Sequence, residues 1–430
     1  MSPSADPGAD RADPVLARVA AEHGTPCFVY DMDAVQERLA RLERAFGGRF
    51  RVSYAMKSNP NPALLARLRA RVPFLDVSSG GELELALEQG WEPGRISFTG
   101  PAKGPAELEL AVAAGIGEVV VESLEEAREL SRVAVERGRV QPVLARLAPA
   151  RLPGGFGVNM AGKPCQFGID EEDAEAVLQE VLALPGLSLE GFHVYSGTQS
   201  LRAQALAENY GIFVELFRRF AGRFGLTPRK LVFGSGLGIP YHEGDVALDL
   251  EALAAQVNPL LDELRAEPRF AGADLVLETG RYVVGEAGVY LTGVLRVKES
   301  RGTAIAVCNG GMNHHLGACG HLGTVIHRNY RMFKVGAEDA PPAERPYDLV
   351  GPLCTTIDTL GHRVKLPELR AGDVIAVRCS GAYGATASPI HFIRHAPPRE
   401  VLVESTPVGR RVEDVSWLGA PGAAAAAEAG

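Results

Sequence analysis

The feature that most constrains this chain is a rhythm. Eight short apolar segments, at 51–55, 73–77, 95–98, 117–121, 141–147, 188–193, 229–233 and 273–277, each read as a strand. Amphipathic stretches at 80–89, 105–114, 123–137, 170–184, 199–224 and 250–265 lie between most of them and read as helices. Strands that alternate with helices pair in parallel, because each helix carries the chain back along the sheet before the next strand begins. Two α/β architectures share this alternation, a closed TIM-type (β/α)8 barrel and a doubly wound open sheet. The count of eight favours the barrel.

After Gly280 the texture changes. Residues 282–297 are β-rich and punctuated by glycine, and further strands are expected at 304–308, 347–350 and 374–380 with no long amphipathic helix among them. The expected organisation is a tail and leading helix over 1–24, a barrel over 25–280, an all-β domain over 281–404 and a tail over 405–430. The strand at 25–31 is free to join the β domain. Residues 1–13 and 419–430 are rich in small residues with little to bury, and disorder is expected there.

The formal net charge of −9 argues against a nucleic-acid or anionic-membrane surface. No apolar run approaches a membrane span, and residues 1–13 lack the apolar core of a signal peptide. The six cysteines are scattered without metal spacing, which reads as reduced thiols of a cytoplasmic protein.

The residues able to do chemistry fall just after the expected strands, where a barrel places its site. Lys57 follows the first strand, in Tyr54-Ala-Met-Lys-Ser-Asn-Pro60. A lysine there is either a solvated surface cation or an amine placed to form a Schiff base. Gly191-Phe-His-Val-Tyr-Ser-Gly-Thr-Gln199 follows the sixth strand and Gly234-Ser-Gly-Leu-Gly238 the seventh. Glycines at 234, 236 and 238 would let backbone N–H groups approach a phosphate. Their spacing is not that of a dinucleotide fingerprint, and Pro240 follows where that motif needs a helix. Glu278-Thr-Gly-Arg281 follows the eighth strand.

These motifs resemble those of the fold-type III pyridoxal-phosphate (PLP) enzymes, in particular the diaminopimelate/ornithine decarboxylase group. The resemblance spans about residues 25–400. It implies that Lys57 carries pyridoxal 5′-phosphate and that Glu278 bonds the pyridine nitrogen, where alanine racemases place an arginine. It also implies that Arg146 lies near the cofactor hydroxyl and that Arg281 meets phosphate or substrate carboxylate. Thr198, Gly236, Gly238 and Tyr383, the last in Gly381-Ala-Tyr383, would hold the phosphate. Cys354, in Gly351-Pro-Leu-Cys-Thr-Thr-Ile-Asp358, would reach the partner subunit's site and reprotonate the substrate carbon. A homodimer with shared sites is therefore expected.

The chain also departs from the group. Tyr195 stands where a histidine stacks on the cofactor, and His193 aligns with an earlier, less direct histidine. Thr198 replaces a serine. Thr355 replaces the acid that pairs with a distal substrate amine, and Asn309-Gly-Gly-Met-Asn-His-His315 lacks the residues that grip a distal carboxylate. These departures resemble the subgroup that decarboxylates carrier-protein-bound glutamate in butirosin biosynthesis. The implied function is a PLP-dependent α-decarboxylase of an amino acid or of a side-chain-conjugated one, with an acyl carrier protein as the conjugate partner. The alternatives are decarboxylation of free diaminopimelate, racemisation, and a non-catalytic PLP carrier. The histidines at 314, 315, 321 and 327 match no zinc spacing; they are expected to line the substrate cavity, with no metal. Arg328, Arg331 and Lys334 are read as a solvated basic face, with docking of a phosphopantetheine arm or an acidic carrier as the second reading.

Overall fold

The structure is a computed structural model that describes residues 14–322, 328–337 and 345–419. It divides into two compact units. The first comprises Met1–Gln36, Pro240–Asp245 and Val284–Gly430, and the second Glu37–Ile239 and Val246–Val283. In chain order, strand β1 (Cys27–Asp31) lies in the first unit. The second unit holds β2 (Arg51–Ala55), β3 (Phe74–Val77), β4 (Ile96–Phe98), β5 (Glu118–Val121), β6 (Gln141–Ala148), β7 (Val158–Asn159) and β8 (Ile169–Asp170). It continues with β9 (Leu187–Val194), β10 (Gly197–Thr198), β11 (Lys230–Gly234) and β12 (Asp274–Thr279).

Eight of these strands pair in parallel in the order β5-β4-β3-β2-β12-β11-β9-β6, and a β5–β6 pairing closes the ring. Closure removes the doubly wound alternative: the second unit is a (β/α)8 barrel. Phe74, Val120, Leu144, Val232 and Val276 form a buried apolar cluster contributed by five of its strands. Buried strands of this kind read as continuous apolar runs, and all four residues of β5 are buried. Helices start where the sequence offers caps. Ser79 and Ser123 accept hydrogen bonds from the backbone N–H groups of Glu82 and Glu126. The helix expected from 199 begins only at Ala203. Gln199 has φ 61° and its amide is spent on both backbone groups of Ile239, which ties the sixth strand's loop to the seventh's.

At the N-terminal ends of β5 and β11, Lys230 donates to both oxygens of Glu118, at 2.6 and 2.8 Å. Both side chains are largely buried, and the ammonium lies 4.0 Å from the centre of the Phe74 ring. Replacing Lys230 by methionine leaves the Glu118 carboxylate buried without its partner. A loss of about 3–5 kcal/mol in unfolding free energy is expected by denaturant titration. A change below about 1 kcal/mol would show that the pair contributes nothing.

The first unit resumes with β13 (Gly288–Ser300), β14 (Thr303–Cys308), β15 (Met332–Lys334), β16 (Pro346–Val350) and β17 (Thr359–Lys365). It ends with β18 (Val374–Val377), β19 (Arg399–Thr406) and β20 (Gly409–Asp414). The sheet order is β17-β16-β14-β13-β1-β19-β20, with β18 paired to β13 and β15. β1 thus joins this sheet, parallel to β19 and antiparallel to β13. The leading helix, Pro14–His23, buries Val15, Leu16 and Val19 in a cluster with Val29, Leu291, Val401 and Val403. The sheet continues past Glu404: β20 pairs with β19 as far as Asp414, so the stretch expected as tail from 405 begins with a strand. Residues 1–13 and 420–430 lie outside the described residues. Among the described residues no helix is long and apolar enough to cross a membrane.

Candidate active site

Lys57 sits in a short 3-10 turn, Met56–Ser58, at the C-terminal end of β2. The turn is held from several sides. Ser58 Oγ donates to Ala55 O at 2.8 Å, Tyr54 OH donates to Asn59 O at 2.9 Å, and Asn61 caps the helix Pro62–Leu68. A Cβ on Gly280, just past β12, would lie 2.5 Å from Ser58 Oγ and 2.9 Å from Ala55 O. Only glycine lets the end of β12 approach the lysine turn this closely. The lysine side chain is 42% exposed and pairs with Asp76.

Beside it lies a buried acidic pair that burial alone would neutralise. Glu278 is buried and accepts a hydrogen bond from His193 Nε2 at 2.9 Å. Burial pushes its carboxyl up, but the charge and hydrogen bond of His193, with Lys57 and Arg146, outweigh it and hold the pKa at about 2. Asp76, in β3, behaves oppositely. Burial and the Glu278 charge drive its carboxyl well above the usual range, against Lys57 and a hydrogen bond from Thr99. Its Oδ2 stands 3.7 Å from Lys57 Nζ, beyond hydrogen-bond length. One carboxyl is lowered and the other raised, as neighbouring acids with different partners are.

Arg146, in β6, is in register with His193 in β9. It donates to Glu122 Oε1 at 2.8 Å. The same carboxylate accepts from Gly100 N and Gly168 N, so it joins the segments after β4, β5 and β6. The Phe167 ring lies 4.8 Å from the guanidinium, which fixes its plane. Asp76 and Glu122 were not singled out from sequence. The signal was present: an acid inside the apolar run Phe74-Leu75-Asp76-Val77, and another directly after Val119-Val120-Val121.

The glycine loop after β11 is packed so closely that side chains are excluded. A Cβ on Gly234 would overlap the Tyr195 ring, at 2.1 Å from its Cδ2, so Tyr195 lies over this glycine. Gly236 has φ 65°, and a Cβ there would meet the Phe156 ring at 2.8 Å. Gly238 differs from expectation: its N–H is already donated to Ser200 O at 2.9 Å. It contributes close approach, not a phosphate donor. Thr198, in β10, is half-buried, and its carbonyl accepts from Gly157 N.

The family described as pyridoxal-dependent decarboxylase, pyridoxal binding domain, matches residues 32–285. The chain belongs to the pyridoxal-dependent decarboxylases. This decarboxylase is 35% identical over 380 residues, 88% of each chain, to the L-glutamyl-[BtrI acyl-carrier protein] decarboxylase of Niallia circulans. It is 26% identical over 397 residues, 91% of this chain and 98% of the other, to the 2-[(L-alanin-3-ylcarbamoyl)methyl]-2-hydroxybutanedioate decarboxylase of Staphylococcus aureus. A diaminopimelate decarboxylase from Helicobacter pylori, complexed with L-lysine, superposes with TM-score 0.79 at 25% identity, covering 93% of this chain and 95% of that one. Pyridoxal 5′-phosphate is the cofactor and amino-acid decarboxylation the activity.

The barrel fits the cofactor. It offers a lysine at a strand end, a buried ionised acid, a loop whose glycines admit no Cβ, and buried polar atoms awaiting partners. Asp76 Oδ2, His193 Nδ1 and Ser196 Oγ have no hydrogen-bond partner among the described residues.

Of the remaining expected site residues, Cys354 and Tyr383 belong to the first unit and Arg281 to the second. Cys354 is exposed, in a turn where Asp358 accepts from Leu353 N at 2.8 Å and Met312 N at 2.6 Å. Tyr383 has φ 53°, an uncommon value for a tyrosine. Arg281 opens the helix Arg281–Val284 directly after β12. Two expectations need correction. His314 and His315 are buried, bonded to Ala396 O and Ser380 Oγ, so they are internal staples of the β unit; His321 bonds Ile357 O, and His327 lies outside the described residues. No group of residues that could hold a metal occurs among the described residues. Nor are Arg328, Arg331 and Lys334 an open basic face. Arg328 pairs with Asp245, Arg331 donates to Pro240 O, and Lys334 pairs with Asp373. Each cation is already committed within the unit.

Proposed function

We propose that this decarboxylase acts on an α-amino acid whose side chain bears no free cation and is extended by a conjugate, such as glutamate thioesterified to an acyl carrier protein. The observation that carries the reading is Thr355, beside Cys354. A hydroxyl stands where an ammonium-binding member of the group needs a carboxylate. A cation desolvated there would have no counter-charge. In support, two relatives are named for substrates in which the amino acid is joined to a larger group.

In this reading Lys57 carries the cofactor, Tyr195 covers its ring, and Arg146 stands near its hydroxyl. Thr198, the Gly236 loop and Tyr383 take the phosphate, and Arg281 takes phosphate or substrate carboxylate. When bound, PLP supplies the electron sink for the pair left behind as CO2 departs. Glu278, kept ionised by His193, holds a proton on the ring nitrogen. Cys354 of the partner subunit would return a proton to the substrate carbon. The active unit is then a cytoplasmic homodimer with shared sites, serving a biosynthetic pathway.

Steady-state CO2 release should rank a γ-glutamyl thioester above free glutamate, and both above lysine or diaminopimelate. The penalty on the diamines is about 3–5 kcal/mol, by analogy with a broken buried ion pair. Efficient turnover of free lysine or diaminopimelate would sink the proposal, and racemisation without CO2 release would point to the other chemistry. The shared site has its own test. Mixed inactive Lys57→Ala and Cys354→Ala chains should regain up to about a quarter of wild-type activity, because each heterodimer carries one intact site.

A further inference from the structure

The pair His314-His315 was left unexplained by the cofactor and substrate assignments. His315 is almost fully buried among aromatic rings, with ring centres of Phe28, Tyr290 and Tyr330 at 5.7, 5.7 and 5.5 Å. Its tautomer follows from its partners. Ala318 N–H donates to Nδ1 at 3.3 Å, so the proton sits on Nε2, which lies 3.0 Å from Ser380 Oγ and donates to it. Ser380 Oγ passes the bond on, donating to Val377 O at 2.9 Å. Burial lowers the imidazole pKa to about 3, so this donor arrangement persists at neutral pH.

Ser380 opens the segment Ser380-Gly-Ala-Tyr383, whose backbone takes costly conformations. Cys379 and Tyr383 have φ of 58° and 53°, and both are non-glycine residues in the left-handed region. A Cβ on Gly381 would lie 1.8 Å from Val284 O. Such a turn persists only when its surroundings over-determine it. Ser380 N–H donates to Gly288 O and Gly381 N–H to Gly285 O, which pins one side. His315 supplies the side-chain contact from the other. A second link runs parallel: Ser388 Oγ accepts from Leu316 N and donates to Gly384 O. The loop carrying His315 therefore grips the turn at both ends, once before Tyr383 and once after it.

We infer that His315 is a positioning residue that acts through Ser380 to set the turn presenting Tyr383, and so tunes affinity for the phosphate group of the cofactor. The inference rests on the proposed phosphate role of Tyr383. The structure gives it a specific signature: loss of the His315–Ser380 bond should weaken recognition of phosphate and leave recognition of the pyridine ring and aldehyde unchanged.

The test compares binding of PLP and of pyridoxal, which lacks the phosphate, to full-length protein stripped of cofactor, followed by absorbance. Ser380→Ala removes the acceptor and leaves the aromatic box intact. His315→Ala removes the donor, and His315→Gln restores an N–H there. Both alanine variants should lower the PLP-to-pyridoxal affinity ratio about ten-fold, with His315→Gln recovering part of it. Tyr383→Phe should lower the ratio similarly, and Ser380→Ala added to it should change the ratio by less than about two-fold, because both act on one contact. If Tyr383→Phe lowers the ratio but Ser380→Ala does not, the inference is overturned and the Tyr383 assignment stands. If Tyr383→Phe leaves the ratio unchanged, the phosphate assignment itself is wrong and the inference falls with it. Equal losses for PLP and pyridoxal in Ser380→Ala would reduce the histidine to a purely structural role and also overturn it.

Discussion

Replacing Lys57 by alanine is expected to abolish the absorption band of bound cofactor and to lower decarboxylation by at least about 10⁴-fold, with the fold retained and a stability loss smaller than that of the His193 variant. The two expectations separate because of where the residue sits. The backbone of its turn is held by Ser58, Tyr54 and Asn61, not by the lysine side chain. That side chain is 42% exposed and pairs with Asp76 Oδ2 at 3.7 Å. Truncation removes the nucleophilic amine and leaves the scaffold. It also removes a positive charge that lowers the pKa of both Asp76 and Glu278, so both acids should bind protons more readily in the variant. Absorbance of the purified protein, CO2 release and denaturant unfolding measure the three effects. A variant that keeps the band and the activity would remove Lys57 from the chemistry.

The second large effect is expected at the His193–Glu278 pair. The Glu278 carboxyl is held at about 2, below its ordinary 4.5, so the folded state favours its ionised form. A depressed carboxylate adds stability that is fully present above the unfolded value near 4.5 and is lost as pH falls through about 2. Its size is on the order of 3 kcal/mol. His193→Ala takes away the hydrogen bond and the charge that oppose burial, so the carboxyl pKa should rise. At pH 7 the variant should lose stability on the order of 3 kcal/mol, and the difference from wild type should shrink as the pH approaches 3. Decarboxylation should fall by about 10²-fold, because a neutral Glu278 no longer favours a protonated ring nitrogen. Denaturant unfolding at pH 7 and pH 3, with activity alongside, decides the matter. A stability difference independent of pH would mean that His193 acts by packing alone.

The basic residues near 330 show how far charge can mislead when its partners are unseen. In sequence, Arg328, Arg331 and Lys334 read as a solvated basic face, with docking of an acidic carrier as the second reading. In the fold, Asp245 and Pro240 return from elsewhere in the chain to meet two of them, and Asp373 meets the third. Gly238 teaches the same lesson on a smaller scale. Its glycine identity was visible, but the use of that glycine was not, because the competing acceptor Ser200 O comes from a different loop.

By itself the sequence located the eight strands, favoured the barrel over the open sheet, and pointed to the chemistry through the residues that follow those strands. Parallel strands buried on both faces must be continuous apolar runs, and a barrel must present its reactive residues directly after them. Lys57, His193, Gly234 and Glu278 therefore announce themselves by position. It also placed Thr355 beside Cys354, the residue on which the proposed absence of an ammonium clamp rests. Only the tertiary structure decided which acid's pKa is lowered and which is raised. That depends on burial and on partners far away in the chain: His193 lies 85 residues from Glu278, and Thr99 lies 23 from Asp76. It alone recruited Glu122 to hold Arg146, and it turned His315, expected as cavity lining, into a staple on the turn that carries Tyr383. Periodicity is a local property of the chain, whereas protonation and hydrogen-bond pairing are properties of neighbours, which only folding supplies.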